Sequence, residues 1–261
     1  MRQFLIIPDR NHMQECLELA QKYQLGFEYN DFFMPTVLDD EERLQEIIDI
    51  YKQYELPSYT TVHGDFFDVI PFSVDPKIRE IASLRIEQSI QAAKGIGAKA
   101  VVFHTNYDPF LNTDSYIASW LKTNIVFWSD VLEKHSDMQI YLENMFDTSP
   151  DIMETLSEKL SEYANYGVCL DYAHAFLSKV KPEIWAERLG RFVKHIHMND
   201  NDGIRDLHQA WGDGVIQRTG FYECYEKYMR NATILIETTS MENKVRSLEM
   251  LEREGFLKNG H

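Results

Sequence analysis

The stretch DPKIREIASLRIEQSIQAAKGIGAKAVVFH, residues 75–104, holds one complete copy of the pattern that decides the fold. Asp75 is a good helix N-cap, and Pro76 suits the first helical position, where its missing N–H costs nothing. Ile78, Ala82, Ile86 and Ile90 then recur every four residues, which predicts a helix over 76–93 with one apolar face. Gly95-Ile96-Gly97 stops it. The next apolar run, 100–104, is too brief for a helix and lacks polar alternation, as expected of a strand covered on both faces.

The same order repeats outward in both directions. Strands are predicted at 4–7, 25–29, 59–63, 100–104, 139–143, 167–171, 193–197 and 233–237, separated by segments of helical character. The last helix, over 243–254, stops at Gly255. Eight strands alternating with helices predict an α/β fold with a closed parallel sheet, a single (β/α)8 TIM barrel spanning residues 1–261. The chain length of 261 agrees with the roughly 250 residues such a barrel needs.

Composition narrows the class. Apolar residues make up 44% and charged residues 26%, a globular balance, and no apolar run is long enough to span a bilayer. MRQFLIIPDR turns polar too early for a secretory core and reads as a buried strand, so a cytoplasmic protein is expected. Cys16, Cys169 and Cys224 are far apart and form no CxxC pair, which suggests packing residues. With 42 acidic against 26 basic residues the net charge is −16, and duplex DNA is a poor partner for such a surface. The aromatic segment FYECYEKY at 221–228 is expected to pack on the barrel, and oligomeric state stays open.

The informative feature is what stands at the strand ends. Six of the eight predicted strands finish in Glu28, His63, His104, Glu143, Asp171 and His197, and the last ends in Glu237. In a barrel these ends converge on one mouth, so residues distant in sequence become neighbours. His174 follows closely in VCLDYAHAF, and Asp206 and His208 form an Asp-x-His pair in HIHMNDNDGIRDLHQAWGDGVI. Carboxylates gathered so tightly raise one another's pKa unless a cation lies among them. Imidazole mixed with carboxylate suits zinc or manganese, so one to three divalent ions are expected. His12, His135 and His261 fall outside the pattern and are expected to be solvated, with His135→Ala nearly silent. His195 is expected to be structural, on the opposite side of its strand from His197.

These residues resemble the xylose isomerase-like barrel superfamily, which includes endonuclease IV and many sugar isomerases and epimerases. The likeness covers most of the chain, and VCLDYAHAF, HMND, DLH and LIET are its most specific pieces. By that resemblance His63, His104 and Glu143 hold a first metal. Glu143 bridges to a second held by Asp171, His197 and Glu237, and His174, Asp206 and His208 hold a third. Members described as isomerases and epimerases usually retain the second. The loop 197–216 is similar to one in proteins commonly labelled sugar phosphate isomerase/epimerase. Epimerases of known chemistry carry a loop arginine after the histidine ligand; Arg205 lies nearby at a different spacing.

Two chemistries follow. In the first, a metal polarises adjacent carbonyl and hydroxyl oxygens of a small sugar or sugar phosphate while Glu143 and Glu237 remove and return a proton. Glu28, Phe66 and Arg205 are then expected to touch substrate, with Phe66 and Phe67 as an apolar wall. In the second, a metal-bridging hydroxide attacks a phosphate ester, with apurinic-site cleavage as its best-known form. The full ligand set favours the second. The acidic balance and the loop GDFFDVI, which puts acids where a phosphate backbone would approach, favour the first.

Overall fold

A computed structural model describes residues 2–66 and 69–257. The apolar runs form parallel strands β1 (Phe4–Ile6), β2 (Gly26–Tyr29), β3 (Thr60–His63), β4 (Ala100–His104), β5 (Gln139–Glu143), β6 (Tyr166–Asp171), β7 (Val193–Met198) and β8 (Thr233–Ile236). They close in sequence order, with β1 pairing to both β2 and β8, so the sheet has no free edge. The chain is a (β/α)8 TIM barrel, as the alternation predicted.

The register matters for the mouth. Side by side on neighbouring strands stand His104 and Glu143, and likewise Asp171 and His197. Between β6 and β7 the register shifts at Val168/Cys169, one irregularity below that second pair.

The helix that opened the reading runs Pro76–Ile96. Its cap is the expected one: Lys77 N–H donates to the Asp75 carboxylate at 2.8 Å. Gly97 has φ 85°, the left-handed region that glycine enters freely, and its N–H returns to Ala93 O at 3.0 Å. Ala82, Ile86 and Ile90 are buried against the barrel, but Ile78 is 42% exposed. A strict four-residue ladder drifts about 40° per step around a 3.6-residue helix, so its first member leaves the buried face. The last helix is Met241–Arg253, with Gly255 just beyond it.

Segment 221–228 packs inward. Phe221 and Tyr225 are buried, and Tyr222 stacks on Phe256 with ring centroids 4.2 Å apart. All three cysteines are buried and unbridged. Among the described residues no helix is long and apolar enough to cross a membrane.

Candidate metal centre

The strand ends converge as the barrel geometry requires. His63, His104 and Glu143 end β3, β4 and β5, and Glu143 Oε2 lies 3.2 Å from His104 Nε2 and 3.6 Å from His63 Nε2. On its other side Glu143 Oε1 lies 3.1 Å from His197 Nδ1, and Glu237 Oε1 approaches that same nitrogen to 3.4 Å. Asn199 donates to both Asp171 Oδ2 and Glu237 Oε2, at 3.3 and 3.2 Å. Two trios, His63/His104/Glu143 and Glu143/Asp171/His197, each bring three ligand atoms within 4.8 Å of one another. All five side chains of these trios are buried, as is Glu237.

A further trio forms at the rim. His174 sits in the short helix Tyr172–Leu177 that follows β6, and its Nε2 is 3.2 Å from Asp206 Oδ2; His208 Nε2 reaches the same oxygen at 2.9 Å. Asp200 shapes the loop that carries Asp206 and His208. Its buried carboxylate accepts from Gly212 N–H, Ile216 N–H and its neighbour Asn201 N–H at 3.0, 3.1 and 2.9 Å. A side chain at Gly214 would collide with Asn201 O and Asp200 Oδ1, which explains the third glycine of that loop. His208 (φ 46°) and Asn106 (φ 50°) are left-handed without being glycine, a cost that local structure must hold in place near functional sites.

Electrostatics sharpen the picture. Burial works to raise the Glu143 carboxyl, but His197 and His104 outweigh it and hold it well below the usual carboxylate range. Asp171 is pushed up to about 7, chiefly by burial, with Glu237, Glu143 and Asp206 adding to the rise. His208 is raised to about 10 because Glu237 and Asp206 overcome its desolvation. Glu143 Oε2 is buried with no hydrogen-bond partner although it faces two imidazoles. Clustered acids, facing imidazoles and an unpartnered oxygen form a donor set suited to a divalent cation.

The structure brings all nine expected ligands to one mouth, with Glu237 falling in a trio with His63 and His197 rather than with Glu143 and Asp171. It departs from the expectations elsewhere. Phe66 does face the opening, 5.0 Å from both His63 and His104 by ring centroid, while Phe67 lies outside the described residues, as does His261. Glu28, expected to touch substrate, has no exposed surface and is enclosed by Thr61, His195 and His197. Arg205, also expected to touch substrate, turns back onto Asp202 at 2.8 Å with its side chain 70% exposed. Its short loop lets the neighbouring carboxylate capture it first.

His195 was expected opposite His197, yet both rings touch Glu28, because residues two apart on a strand share a face. His12 is exposed as expected, paired with Asp9 at 2.9 Å. His135 is not: it is buried at the end of the helix Asp114–Lys134, with Nε2 3.0 Å from Glu87.

Beside the centre lies a cavity of about 870 Å3, walled by Phe66, Tyr107, Met145, Phe146 and Leu177 and reaching His174 and Asp206. Its least expected member is Asp147, 4% exposed, whose Oδ2 accepts from Thr105 Oγ1 at 2.9 Å and Met145 N–H at 3.1 Å. Burial pushes this carboxyl up to about 6 against those two donors, and Oδ1 has no partner. Nothing in ENMFDTSP marks it. Asn199 was legible within HMND as part of the motif, although not as the donor that joins Asp171 to Glu237.

The sequence pattern of the family described as xylose isomerase-like TIM barrel matches residues 17–254. An uncharacterized protein of Methanocaldococcus jannaschii is 26% identical over 223 residues, covering 81% of this chain and 74% of that one. A probable endonuclease 4 of Staphylococcus carnosus is 26% identical over 240 residues, 80% of this chain and 78% of its own. A solved protein of Thermus thermophilus, soaked with ZnCl2, superposes with TM-score 0.77 at 23% identity over 97% of each chain. A D-tagatose 3-epimerase-like protein gives TM-score 0.77 at 22% identity, over 97% of this chain and 96% of that one. At such identities the superpositions speak to the fold.

Proposed function

The chain belongs to the xylose isomerase-like TIM barrel family, and on that premise we propose that it is a metal-dependent isomerase or epimerase of a small sugar or sugar phosphate. The observation that carries the reading is the pair of carboxylates, Glu143 and Glu237, which meet at His197 Nδ1 from 3.1 and 3.4 Å beside a walled cavity. Glu143, Asp171, His197 and Glu237 would hold the ion central to the chemistry, with His63 and His104 sharing Glu143, and His174, Asp206 and His208 forming the outer position. Zinc or manganese suits this mixture of imidazole and carboxylate. Such an ion, when bound, supplies Lewis-acid polarisation of a sugar carbonyl and its neighbouring hydroxyl.

The remaining work falls to the chain itself. Glu143 and Glu237 are the groups placed to take a proton from the carbon next to the carbonyl and to return one. Asn199 fixes Asp171 and Glu237 relative to each other. Phe66 offers a flat apolar face beside His63 and His104, against which the C–H side of a sugar packs.

Phosphate-ester hydrolysis is the second reading, supported by the outer trio and by the likeness to a probable endonuclease 4. Charge weighs against its DNA form. The cavity lining carries Asp108, Asp147 and Asp206 against the bases Lys179 and His174, and the whole chain carries −16. Metal-replete protein incubated in D2O with a panel of ketoses and ketose phosphates should place deuterium on the carbon next to the carbonyl. Cleavage of an abasic-site oligonucleotide, with no deuterium incorporation, would reverse the order of the two readings.

A further inference from the structure

Beneath the ligand layer the barrel holds a second polar layer that the proposed proton transfer does not use. Thr61 and His195 stand two residues below His63 and His197 on their strands, and the β2–β3 register sets Glu28 beside Thr61. Glu28 Oε2 accepts from Thr61 Oγ1 at 2.6 Å and lies 3.1 Å from His195 Nε2. Its other oxygen, Oε1, lies 3.0 Å from His197 Nε2. None of these four side chains has exposed surface.

A carboxylate so enclosed is tolerated only where hydrogen-bond donors or positive charge surround it. The donors at hand are one hydroxyl and two imidazoles. Thr233 Oγ1 lies 2.6 Å from His195 Nδ1 and 3.4 Å from Lys194 O; where the hydroxyl donates over the shorter contact, the ring proton of His195 stands on Nε2, toward Glu28. His197 is then the second imidazole at the same carboxylate. Its Nε2 faces Glu28 while its Nδ1 faces Glu143 and Glu237, and a neutral ring can offer a lone pair on one side only if the proton is held on the other.

We propose that Glu28 is a positioning residue: it holds the ring proton on His197 Nε2, so that Nδ1 is presented as a ligand toward Glu143 and Glu237, while Thr61 and His195 hold Glu28 in turn. The inference rests on the metal reading given above. The His197 Nδ1 contact to Glu143 Oε1 at 3.1 Å meets hydrogen-bond geometry, whereas the ring contacts to Glu28 are close but bent, so the proton on Nε2 is the arrangement that holds with an ion at Nδ1. The opposite arrangement is equally concrete. Cys169, His195 and His197 also bring ligand atoms within 4.8 Å of one another, and an ion seated there would take a ring nitrogen of His197 in place of the arrangement proposed.

The test is zinc and manganese affinity, measured by competition with a chromophoric chelator on wild type and Glu28→Gln. Glu28→Gln should weaken the tightest position 10- to 100-fold, the usual effect of removing such an outer carboxylate. The thermal midpoint of the chelator-treated protein should not fall, which separates positioning from folding. Should Glu28→Gln fail to fold, Thr61→Val removes only one support of Glu28 and should cost several-fold in affinity. In the zinc-loaded wild type, 15N NMR should find the proton of His197 on Nε2. Affinity within twofold of wild type in the folded variant, a proton on Nδ1, or a zinc ion seated at Cys169 and His195 would overturn the positioning role alone. Wild-type protein that binds neither metal would overturn the metal reading as well.

Discussion

The two histidine–carboxylate groups at the mouth use the same residue types and are held in opposite ways. The central one, from His63 to Glu237, is carried by strand ends locked in the closed sheet and is buried throughout. The outer one hangs on the short helix after β6 and on a loop, with the side chains of Asp206 and His208 38% and 34% exposed. Strand ends fix ligand geometry with the rigidity of the barrel, whereas loop ligands are more easily solvated and displaced. The central group should therefore bind its ions more tightly, and a chelator should strip the outer position first.

The largest effect expected is from the centre. Glu143→Ala and Asp171→Ala should each abolish turnover and lower the bound metal while circular dichroism stays native, because each removes a charged ligand from a rigid rim. Full activity with full metal in either variant would misplace the site. His208→Ala sharpens the contrast between the groups. It should remove about one metal equivalent and leave sugar turnover within roughly tenfold, as an outer ligand tuning the site would. A total loss of activity would shift weight to the phosphoester reading.

Asp147 tests the cavity that reaches His174 and Asp206. Its carboxyl is raised from 3.8 to about 6, so the folded state favours the protonated form. The resulting penalty is absent below about pH 4, grows between pH 4 and 6, and is constant above. Asp147→Asn should then be more stable than wild type at pH 7, by about 3 kcal/mol at most, with the gain gone near pH 4. Urea unfolding at the two pH values reads this directly, and equal gains at both would contradict it.

His135→Ala lies far from both groups in role. It breaks a buried contact to Glu87 and should cost about 1–3 kcal/mol of stability with turnover unchanged. An unaltered urea midpoint would show that the contact contributes nothing.

Much of this is legible in the sequence. Helix punctuation at Asp75-Pro76 and Gly97 fixed one unit, the same rhythm gave eight strands, and the barrel rule gathered their polar ends. Depth was not legible. Glu28 ends its strand in sequence much as Glu143 does, but the register beside Thr61 sets it one layer lower. That offset follows from the stagger of the closed sheet, which no single strand encodes. His195 was misplaced by setting aside the two-residue period of its own strand. His135 is isolated in sequence, and its environment comes from Glu87 on a neighbouring helix. Asp147 and Arg205 depend on how loops fold, where local pairing and burial outweigh any spacing rule.

The gathering of distant side chains around shared cations is tested most directly by anomalous scattering from crystals of zinc- or manganese-loaded protein. We expect an ion ligated by Glu143, Asp171, His197 and Glu237, at higher occupancy than any ion at His174, Asp206 and His208. No ion at the central position, or full occupancy confined to the rim, would contradict it.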